Sequence, residues 1–258
     1  MFSRRIEGRF TIPAVAYDRS AGGLSTDGET LVLIRPRIRF PQRKTVLAIV
    51  DTPRLRAHFL TLPGDFSFDA ISPNGRWAYL IHYRDPRNPI DYEVRALDTR
   101  HLRLTPEPIV DPSEPEEQMG GIPISRAASP DGRWAYTLYD AKEPFIHALD
   151  TTTQTAVCID LPKLAGRWLS PMRLITEAGG RRLAVTDKTG PPLLIDTDTF
   201  RVSDPAAPPS AGQDDSNPLV WLLALGVLFT AIVGLGLRHA LPRRPGRTTP
   251  GVAAGSTD

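Results

Sequence analysis

The sequence predicts an all-β fold that is assembled from repeated sheet units. Two stretches, SPNGRWAYLIHY from Ser72 and SPDGRWAYTLYD from Ser129, are nearly the same, and each is followed by a segment that reaches Leu-Asp-Thr. An internal repeat with a period of about 50 residues is typical of propellers and solenoids. Before residue 218 no segment has helical periodicity over three turns, so the repeat is predicted to consist of strands.

Two weaker copies extend the repeat. They are STDGETLVLI from Ser25 and EAGGRRLAVTD from Glu177. The glycines that open the four copies are Gly28, Gly75, Gly132 and Gly180, and the aspartates that close them are Asp51, Asp98, Asp150 and Asp196. Their spacing is near the length of a four-stranded blade, so the sequence predicts a β-propeller with about four recognisable blades.

The residue types of the repeat suit turns and strands. In Ser-Pro-Asp-Gly, proline presets φ, the aspartate bonds to the backbone and glycine adopts the positive φ. The segments 77–83 and 134–139 that follow are rich in strand-forming aromatic and branched residues. We therefore expect the repeated aromatic residues to be core packing: Trp77, Tyr79, Trp134 and Tyr136. The Asp-Thr pairs are predicted to cap the next hairpin turn.

The repeat Ser-Pro-Asp-Gly-Arg-x-x-Tyr followed by an apolar-Asp-Thr turn resembles the YVTN-type and TolB-like β-propeller repeats of bacterial surface and periplasmic proteins. This resemblance covers most of residues 20–202 and implies a propeller fold. The phrases GDFSFDAISP and RWAYTLYD also resemble a group of actinobacterial membrane proteins. Neither resemblance implies a particular activity, because propellers serve binders, scaffolds and enzymes alike.

The number of blades leaves two alternatives. Either the ring is four- or five-bladed, with the opening segment Arg9–Tyr17 completing a blade, or this is the C-terminal part of a longer ring. An open fan would leave unpaired strand edges, which soluble proteins avoid. The second alternative is preferred, since propellers usually close with more blades.

The sequence divides into four regions. Residues 1–202 form the repeat domain, 203–217 a Pro/Ala/Ser/Asp linker, 218–238 a transmembrane helix and 239–258 a basic disordered cytoplasmic tail. The stretch LVWLLALGVLFTAIVGLGL at 219–237 has no charged side chain. As a helix it would extend about 28 Å, close to the hydrocarbon thickness of a bilayer. A buried core helix is the weaker alternative, because an all-β domain offers nothing to bury it.

The flanks of this span predict its orientation. Basic residues follow it in a short tail: Arg238, Arg243, Arg244 and Arg247. Excess arginine marks the cytoplasmic side, so the propeller is predicted outside and the tail in the cytoplasm. However, Met1–Ser20 lacks the apolar core of a signal peptide. Either the true start lies upstream, which is preferred, or the protein is tail-anchored with a cytoplasmic propeller.

No motif assigns a catalytic, cofactor-binding or metal residue. The sequence has no Gly-x-Ser-x-Gly, His-Glu-x-x-His, Cys/His cluster or phosphate loop. Its five histidines are scattered, and its one cysteine, Cys158, lies in an apolar run and is predicted to be a small buried hydrophobe. The net charge of +2 does not favour a nucleic-acid partner.

Four surface features have both a functional and a plainer interpretation. Asp196–Asp198 has oxygen ligands like those of a calcium loop, but a turn cap is the favoured interpretation. The acidic run 111–117 could bind a cation or a basic partner, but a solvated loop is favoured. The long connection within 106–126 is a candidate for recognition. The densest basic patch is predicted to lie on a strand and is favoured as a solvated edge over a surface for anionic lipid or a polyanion: Arg35, Arg37, Arg39, Arg43 and Lys44.

The sequence thus predicts a membrane-anchored, extracytoplasmic β-propeller that acts as a non-catalytic binding or scaffold module and needs no cofactor. Its expected partners are the membrane and another envelope protein or a cell-surface polymer. The alternative function is a lactonase-type propeller hydrolase with a central cation. Metal analysis and the thermal response to calcium discriminate between the two.

Overall fold

A computed structural model describes residues 6–85, 87–116, 119–188, 190 and 192–204, all of which belong to one compact unit, Met1–Ala206. The described part is all-β, as predicted. It contains one three-stranded and three four-stranded antiparallel sheets, and two short 3-10 helices, Pro162–Leu164 and Ala178–Gly180. We call the sheets blades 1 to 4 in chain order.

In each blade, consecutive strands are neighbours, which is the up-and-down topology of propeller blades. Blade 1 contains β1 Thr30–Ile34, β2 Lys44–Asp51 and β3 Arg56–Pro63. Blade 2 contains β4 Asp65–Ile71, β5 Trp77–Asp85, β6 Asn88–Asp98 and β7 Arg103–Ile109. Blade 3 contains β8 Ile122–Ala128, β9 Trp134–Asp140, β10 Phe145–Asp150 and β11 Thr155–Asp160. Blade 4 contains β12 Arg173–Glu177, β13 Arg182–Thr186, β14 Leu193–Asp196 and β15 Val202–Ser203.

The opening segment completes blade 1. Thr11 forms a bridge with Ile34, and Leu24 forms one with Leu31, so that two short stretches lie along the free edge of β1. This pairing agrees with the alternative in which the opening segment supplies a strand. Between these stretches the chain turns back in a hairpin, closed by a bridge between Ala14 and Ala21. We call residues 14–21 the opening hairpin.

The four blades have their turns at the same two ends. At the first end, which we call the turn end, Gly75 of blade 2 lies against Thr30 of blade 1, and Gly180 of blade 4 lies against Pro130 of blade 3. At the other end, Arg37 of blade 1 is bound to Asp65 of blade 2. Strand β15 pairs its Ser203 with Leu194, at the start of β14, and therefore finishes at this second end. We call it the exit end.

Alternating side chains of each blade fill the spaces to its neighbours. The described residues form three hydrophobic clusters, which lie between blades 1 and 2, 2 and 3, and 3 and 4. In β9, Tyr136 and Leu138 face blade 4, whereas Ala135 and Tyr139 face blade 2. This period of two explains why the repeat combines aromatic and small apolar residues in one short strand.

One side-chain-to-backbone hydrogen bond holds two turns of each blade together. The threonine of every Asp-Thr pair donates its hydroxyl to the carbonyl oxygen of the repeat glycine in the same blade. The four pairs are Thr52 with Gly28, Thr99 with Gly75, Thr151 with Gly132 and Thr197 with Gly180. The sequence motif is therefore a structural clasp that joins positions about 20 residues apart.

The C-terminal predictions fall outside this part of the chain. The linker from residue 205, the span at 218–238 and the tail at 239–258 lie outside the described residues, as does Trp221. Within the described ranges, no helix is long and apolar enough to cross a membrane.

Candidate functional site

The inner edges of blades 2, 3 and 4 meet, and the opening hairpin lies against them. Strand β8 contacts β12 of the next blade, and a salt bridge joins it to β4. The backbone N–H groups of Tyr17 and Asp18 donate to the carbonyl oxygens of Pro123 and Ile124 on β8. The hairpin that starts in blade 1 therefore reaches blade 3, where it is bound to the inner strand β8.

Asp18 fastens the hairpin to β8. Its Oδ2 accepts hydrogen bonds from Ser125 Oγ at 2.6 Å and from the backbone N–H of Arg126 at 3.3 Å. Its Oδ1 accepts two more from the N–H and hydroxyl of Ser20. Burial by itself would raise the pKa of Asp18, but these hydrogen bonds outweigh it, and the pKa is lowered. Ser125 Oγ also accepts from the backbone N–H of Leu174, which links blade 4 to the same point.

A buried ion pair lies beside this contact. Arg126 Nη2 on β8 donates to Asp69 Oδ1 on β4, and the two side chains are 9% and 1% exposed. Asp69 Oδ2 and Arg126 Nε have no hydrogen-bond partner among the described residues. A buried pair of this kind adds little net stability, but the removal of one partner leaves an uncompensated charge.

The ion pair continues into a row of polar side chains across blade 3. Arg126 on β8 is opposite Thr137 on β9, which is opposite His147 on β10, so these three share the face toward blade 2. His147 is 1% exposed, and neither ring nitrogen has a hydrogen-bond partner in the described part of the chain. Burial disfavours the charged ring and lowers the pKa of His147 to about 4.

The aromatic residues and the aspartates of the repeat have structural roles, as predicted. Tyr79 and Tyr136 are fully buried, whereas Trp77 and Trp134 are half-buried and pack against the clusters. The turn-cap interpretation of Asp196–Asp198 is confirmed, because Asp196 Oδ1 accepts hydrogen bonds from the N–H of Asp198 and from Thr199. No group of three or more metal-ligating side chains occurs among the described residues.

Asp150 shows how strongly such a cap is bound. Its Oδ2 accepts from Arg133 Nε and Nη2 at 2.9 and 2.6 Å, and its Oδ1 accepts from Thr152 and Thr153. Burial would raise the pKa of Asp150, but the hydrogen bonds of Arg133 and Thr152 lower it to about 2. Arg133, Thr152 and Thr153 all belong to blade 3, so the carboxylate of Asp150 is bound within its own blade.

The long connection predicted within 106–126 is shorter than expected. Residues 106–109 belong to β7 and residues 122–126 to β8, which leaves 110–121 as the connection. Its first acidic residue, Asp111, is buried and accepts hydrogen bonds from Ser113 and from the N–H of Cys158 on β11. Cys158 itself is half-buried, so it is less enclosed than predicted. The exposed acidic residues described in this connection are Glu114 and Glu116.

The basic patch lies on a loop, which corrects the prediction of a strand. Strand β1 ends at Ile34 and β2 begins at Lys44, so Arg35, Arg37 and Arg39 do not share the face of one strand. Two prolines, at positions 36 and 41, remove backbone donors from this stretch and keep it out of the sheet. We call residues 35–44 the basic loop.

Asp65, which is 2% exposed, holds both sides of the basic loop. Its Oδ1 accepts from Arg37 Nε and Nη2 at 3.0 and 2.6 Å, and its Oδ2 accepts from the N–H of Gln42 at 2.8 Å. The Arg37 guanidinium also lies over the rings of Phe40 and Tyr83, at 5.6 and 5.0 Å from their centroids. One of the five cations is therefore paired within the protein, and the contacts of Asp65 tie the two sides of the loop together.

The remaining cations of the basic loop are exposed. Arg39, Arg43 and Lys44 form no salt bridge with any described residue, and Arg35 lies over the ring of Phe10. With Ile38, which is 96% exposed, they border a shallow cavity of about 490 Å³. Within the described part of the chain, this apolar tip surrounded by exposed cations is well suited to an anionic partner.

A comparison with solved structures finds propeller proteins that have different functions. The chain is 15% identical to a dihydro-heme d1 dehydrogenase, NirN, over 72% of this chain and 36% of that chain, with a TM-score of 0.46. It is 13% identical to the β-propeller domain of Swd1 from Myceliophteria thermophila, over 70% and 55%, with a TM-score of 0.40. For a putative 6-phosphogluconolactonase from Bacteroides uniformis the identity is 16%, the coverage 78% and 59%, and the TM-score 0.44.

The chain spans less than two thirds of the length of each of these solved structures. They include enzymes and a protein of the WD40 class, and at these identities no activity or partner transfers to this chain. A scan against protein-family models and a search of curated proteins both find no match.

The sequence did not single out the residues at the centre. Asp18, Asp69, Arg126 and His147 are far apart in the chain, and although Asp69 lies within the phrase GDFSFDAISP, no motif connects the four. Asp69, Arg126 and His147 lie on three different strands. Only the packing of blade 2 on blade 3 brings Asp69 next to the other two. The signal that was present is weak: Arg126 and His147 are charged or polar residues within mostly apolar strands.

Proposed function

We propose that this protein is a non-catalytic binding module, held at a membrane by the predicted span 218–238. Its blades are proposed to lie outside the membrane and its basic tail in the cytoplasm. The observation that carries the proposal is the opening hairpin, which is bound to β8 beside the central space that the inner strands of a propeller surround. Propeller enzymes assemble single residues from several blades around this space, so a protein segment placed there favours recognition at the surface instead.

The groups that face the hairpin support this proposal. Asp18 is bound to Ser125 and Arg126, and Arg126 is in turn bound to Asp69. These are interactions between protein groups, and they serve to attach the hairpin and to join blades 2 and 3. The repeat aspartates are likewise used as turn caps, as the contacts of Asp150 and Asp196 illustrate.

The partner we propose is another envelope protein or a cell-surface polymer, recognised through the connection that follows β7. Glu114 and Glu116 are exposed there, and neither forms a salt bridge with a described residue. Beside them lies a cavity of about 210 Å³ that Pro108, Ile109 and Met119 border. Arg84 and Glu93 border the same hollow, so it is only partly apolar. A partly apolar hollow next to unpaired acidic groups suits a basic, amphipathic segment of a partner.

The proposal is tested by affinity capture of the full chain from solubilised native membranes. A partner that is recovered with the wild type should be lost with the double variant Glu114→Lys/Glu116→Lys. The matched control is Glu29→Lys/Glu177→Lys, which reverses two acidic residues away from this connection. Equal recovery with both double variants, or no protein above a control made of residues 203–258 alone, would contradict the proposed function.

One observation favours the alternative of a hydrolase with a central cation. Asp69 Oδ2 is a buried carboxylate oxygen near the centre, and no described residue hydrogen-bonds to it. If this oxygen binds calcium, the melting temperature of the full chain should rise with added calcium, and the rise should vanish in Asp69→Asn. On the proposal preferred here, millimolar calcium leaves the melting temperature of both proteins unchanged.

A further inference from the structure

The exit end of the blades differs in chemistry from the turn end. Six exposed apolar side chains lie at the exit end: Tyr17, Ile38, Phe40, Ile90, Ile122 and Trp168. Of these, Ile38 is 96% exposed and Trp168 is 77% exposed. The turn end is built instead from the Ser-Pro-Asn/Asp-Gly turns and their clasps.

The basic loop projects from the same exit end. It connects the end of β1, Ile34, to the start of β2, Lys44, and β2 pairs this residue with Pro63, just before blade 2 begins. Between Arg35 and Lys44 there are five basic residues and no acidic residue. Among the described residues, a carboxylate neutralises Arg37 and none forms a salt bridge with the other four cations of the loop, which lie around Ile38.

The chain also leaves the blades at the exit end. Strand β15 finishes at Ser203, and Asp204 beyond it is bound to Lys163 in the connection between β11 and β12. From there, 13 residues, 205–217, precede the predicted span. A segment of that length reaches at most about 45 Å when fully extended, so it would keep the blades near the membrane surface.

We infer that the exit end docks on an anionic lipid bilayer through the basic loop, with Ile38 entering the headgroup region. This inference rests on the membrane anchoring in the proposed function and names a second contact with the same membrane. The cations provide attraction to anionic headgroups, and an exposed aliphatic or aromatic side chain provides apolar burial. The hydrogen bonds of Asp65 hold the two sides of the loop in place, so little ordering is required on docking.

The orientation that follows has a consequence for recognition. The connection that contains Glu114 lies between the end of β7 and the start of β8, which is also at the exit end. A partner bound there would lie next to the bilayer surface, as a juxtamembrane segment of another membrane protein does. The turn end would face away from the membrane.

The inference is tested with the full chain in lipid nanodiscs. A bimane label is placed at Ile38→Cys or, as the control position, at Ile175→Cys on β12, both in a Cys158→Ala background. The discs contain doxyl-labelled phosphatidylcholine as quencher, with either 30% phosphatidylglycerol or none. In the discs with phosphatidylglycerol, we expect at least twofold stronger quenching at position 38 than at position 175.

The charge dependence has its own control. Quenching at position 38 should fall to the level of position 175 in discs without phosphatidylglycerol, and likewise in Arg39→Glu/Arg43→Glu/Lys44→Glu. The matched variant Arg56→Glu/Arg100→Glu/Arg103→Glu reverses three exposed charges at the turn end and should leave the quenching unchanged. Variants are compared only when their melting temperatures agree with that of the labelled parent.

Equal quenching at positions 38 and 175 would overturn the inference, as would quenching that ignores phosphatidylglycerol. A label that responds to added polyglutamate and not to doxyl lipid would assign the loop to a soluble polyanion and also overturn it. A chain that does not co-elute with discs contradicts the anchoring in the proposed function. In that case the labelled chain is added to phosphatidylglycerol vesicles with doxyl lipid, where absent quenching overturns the docking itself.

Discussion

The hydroxyl of Thr99 donates to the carbonyl oxygen of Gly75 at 2.6 Å, although the two residues are 24 positions apart and lie in different turns of blade 2. The same bond occurs in the other three blades. It joins the turn that precedes the second strand to the turn that follows the third. The most repetitive part of the sequence is therefore explained by blade architecture.

We predict that Thr99→Val destabilises the protein by about 1–2 kcal/mol, because the buried Gly75 carbonyl loses its donor. Valine keeps the shape and the strand preference of the side chain. The exposed Thr61 on β3 makes no hydrogen bond through its side chain to a described residue, so Thr61→Val is the control and should change stability by less than about 0.5 kcal/mol. Urea unfolding of both variants measures the difference, and equal values would contradict the role of the clasp.

Two glycines at equivalent repeat positions should respond differently to alanine. Gly28 and Gly75 both have positive φ, 73° and 66°. A Cβ at Gly28 would meet nothing within 4 Å, whereas a Cβ at Gly75 would lie 2.4 Å from the Cβ of Thr30. Gly28→Ala should cost only the left-handed strain, about 1–2 kcal/mol, and Gly75→Ala should cost at least twice as much. Similar melting temperatures for the two variants would show that blades 1 and 2 are not packed as described.

The ion pair between Arg126 and Asp69 should be costly to break on one side only. Arg126→Leu leaves Asp69 buried without its counter-charge, and we expect a loss of about 3–5 kcal/mol. The double variant Asp69→Leu/Arg126→Leu should recover most of that loss, since both charges are removed together. A double-mutant cycle by chemical unfolding measures the coupling, and additive single effects would be the contrary result.

Stability should depend on the protonation of His147 at mildly acid pH. Its pKa is lowered from 6.5 to about 4 in the folded protein, so between these values the unfolded chain binds more protons than the folded one. The folded state therefore loses stability as pH falls from about 6.5 to about 4, by on the order of 3 kcal/mol. His147→Gln should lack this share of the pH dependence, whereas a substitution of the exposed His58 by glutamine should retain it. Parallel pH profiles for wild type and His147→Gln would refute the prediction.

Asp18 should control access to the opening hairpin. Asp18→Ala removes the acceptor for Ser125 Oγ and for the N–H of Arg126, so the hairpin should open more often. Tryptic cleavage after the exposed Arg19 should become about tenfold faster, which corresponds to about 1.4 kcal/mol. The control is Asp27→Ala, which removes a similar serine contact at the turn end. Unchanged cleavage in Asp18→Ala would mean that other contacts hold the hairpin.

Local sequence was sufficient for the strands and turns of the repeat. Proline, asparagine or aspartate, and glycine have strong individual backbone preferences, and strands such as Trp134–Asp140 alternate between two faces, so four blade units could be located without any structure. The same reasoning located the cap at Asp196. It failed for Arg35–Arg39, because the prolines at 36 and 41 outweigh the alternation of charges along this stretch.

The sequence by itself thus determined the class of fold, the repeat and its period, and the roles of residues that act within a few positions of one another. Tertiary structure alone decided the rest. It determined that Thr99 donates a hydrogen bond to Gly75, that the opening hairpin contacts β8, and that Asp65 binds both sides of the basic loop. These contacts join residues about 20 to 110 positions apart, and nothing local in the chain specifies such a pairing. They exist because buried polar groups need partners, and only the packing of blade against blade determines which partner is within reach.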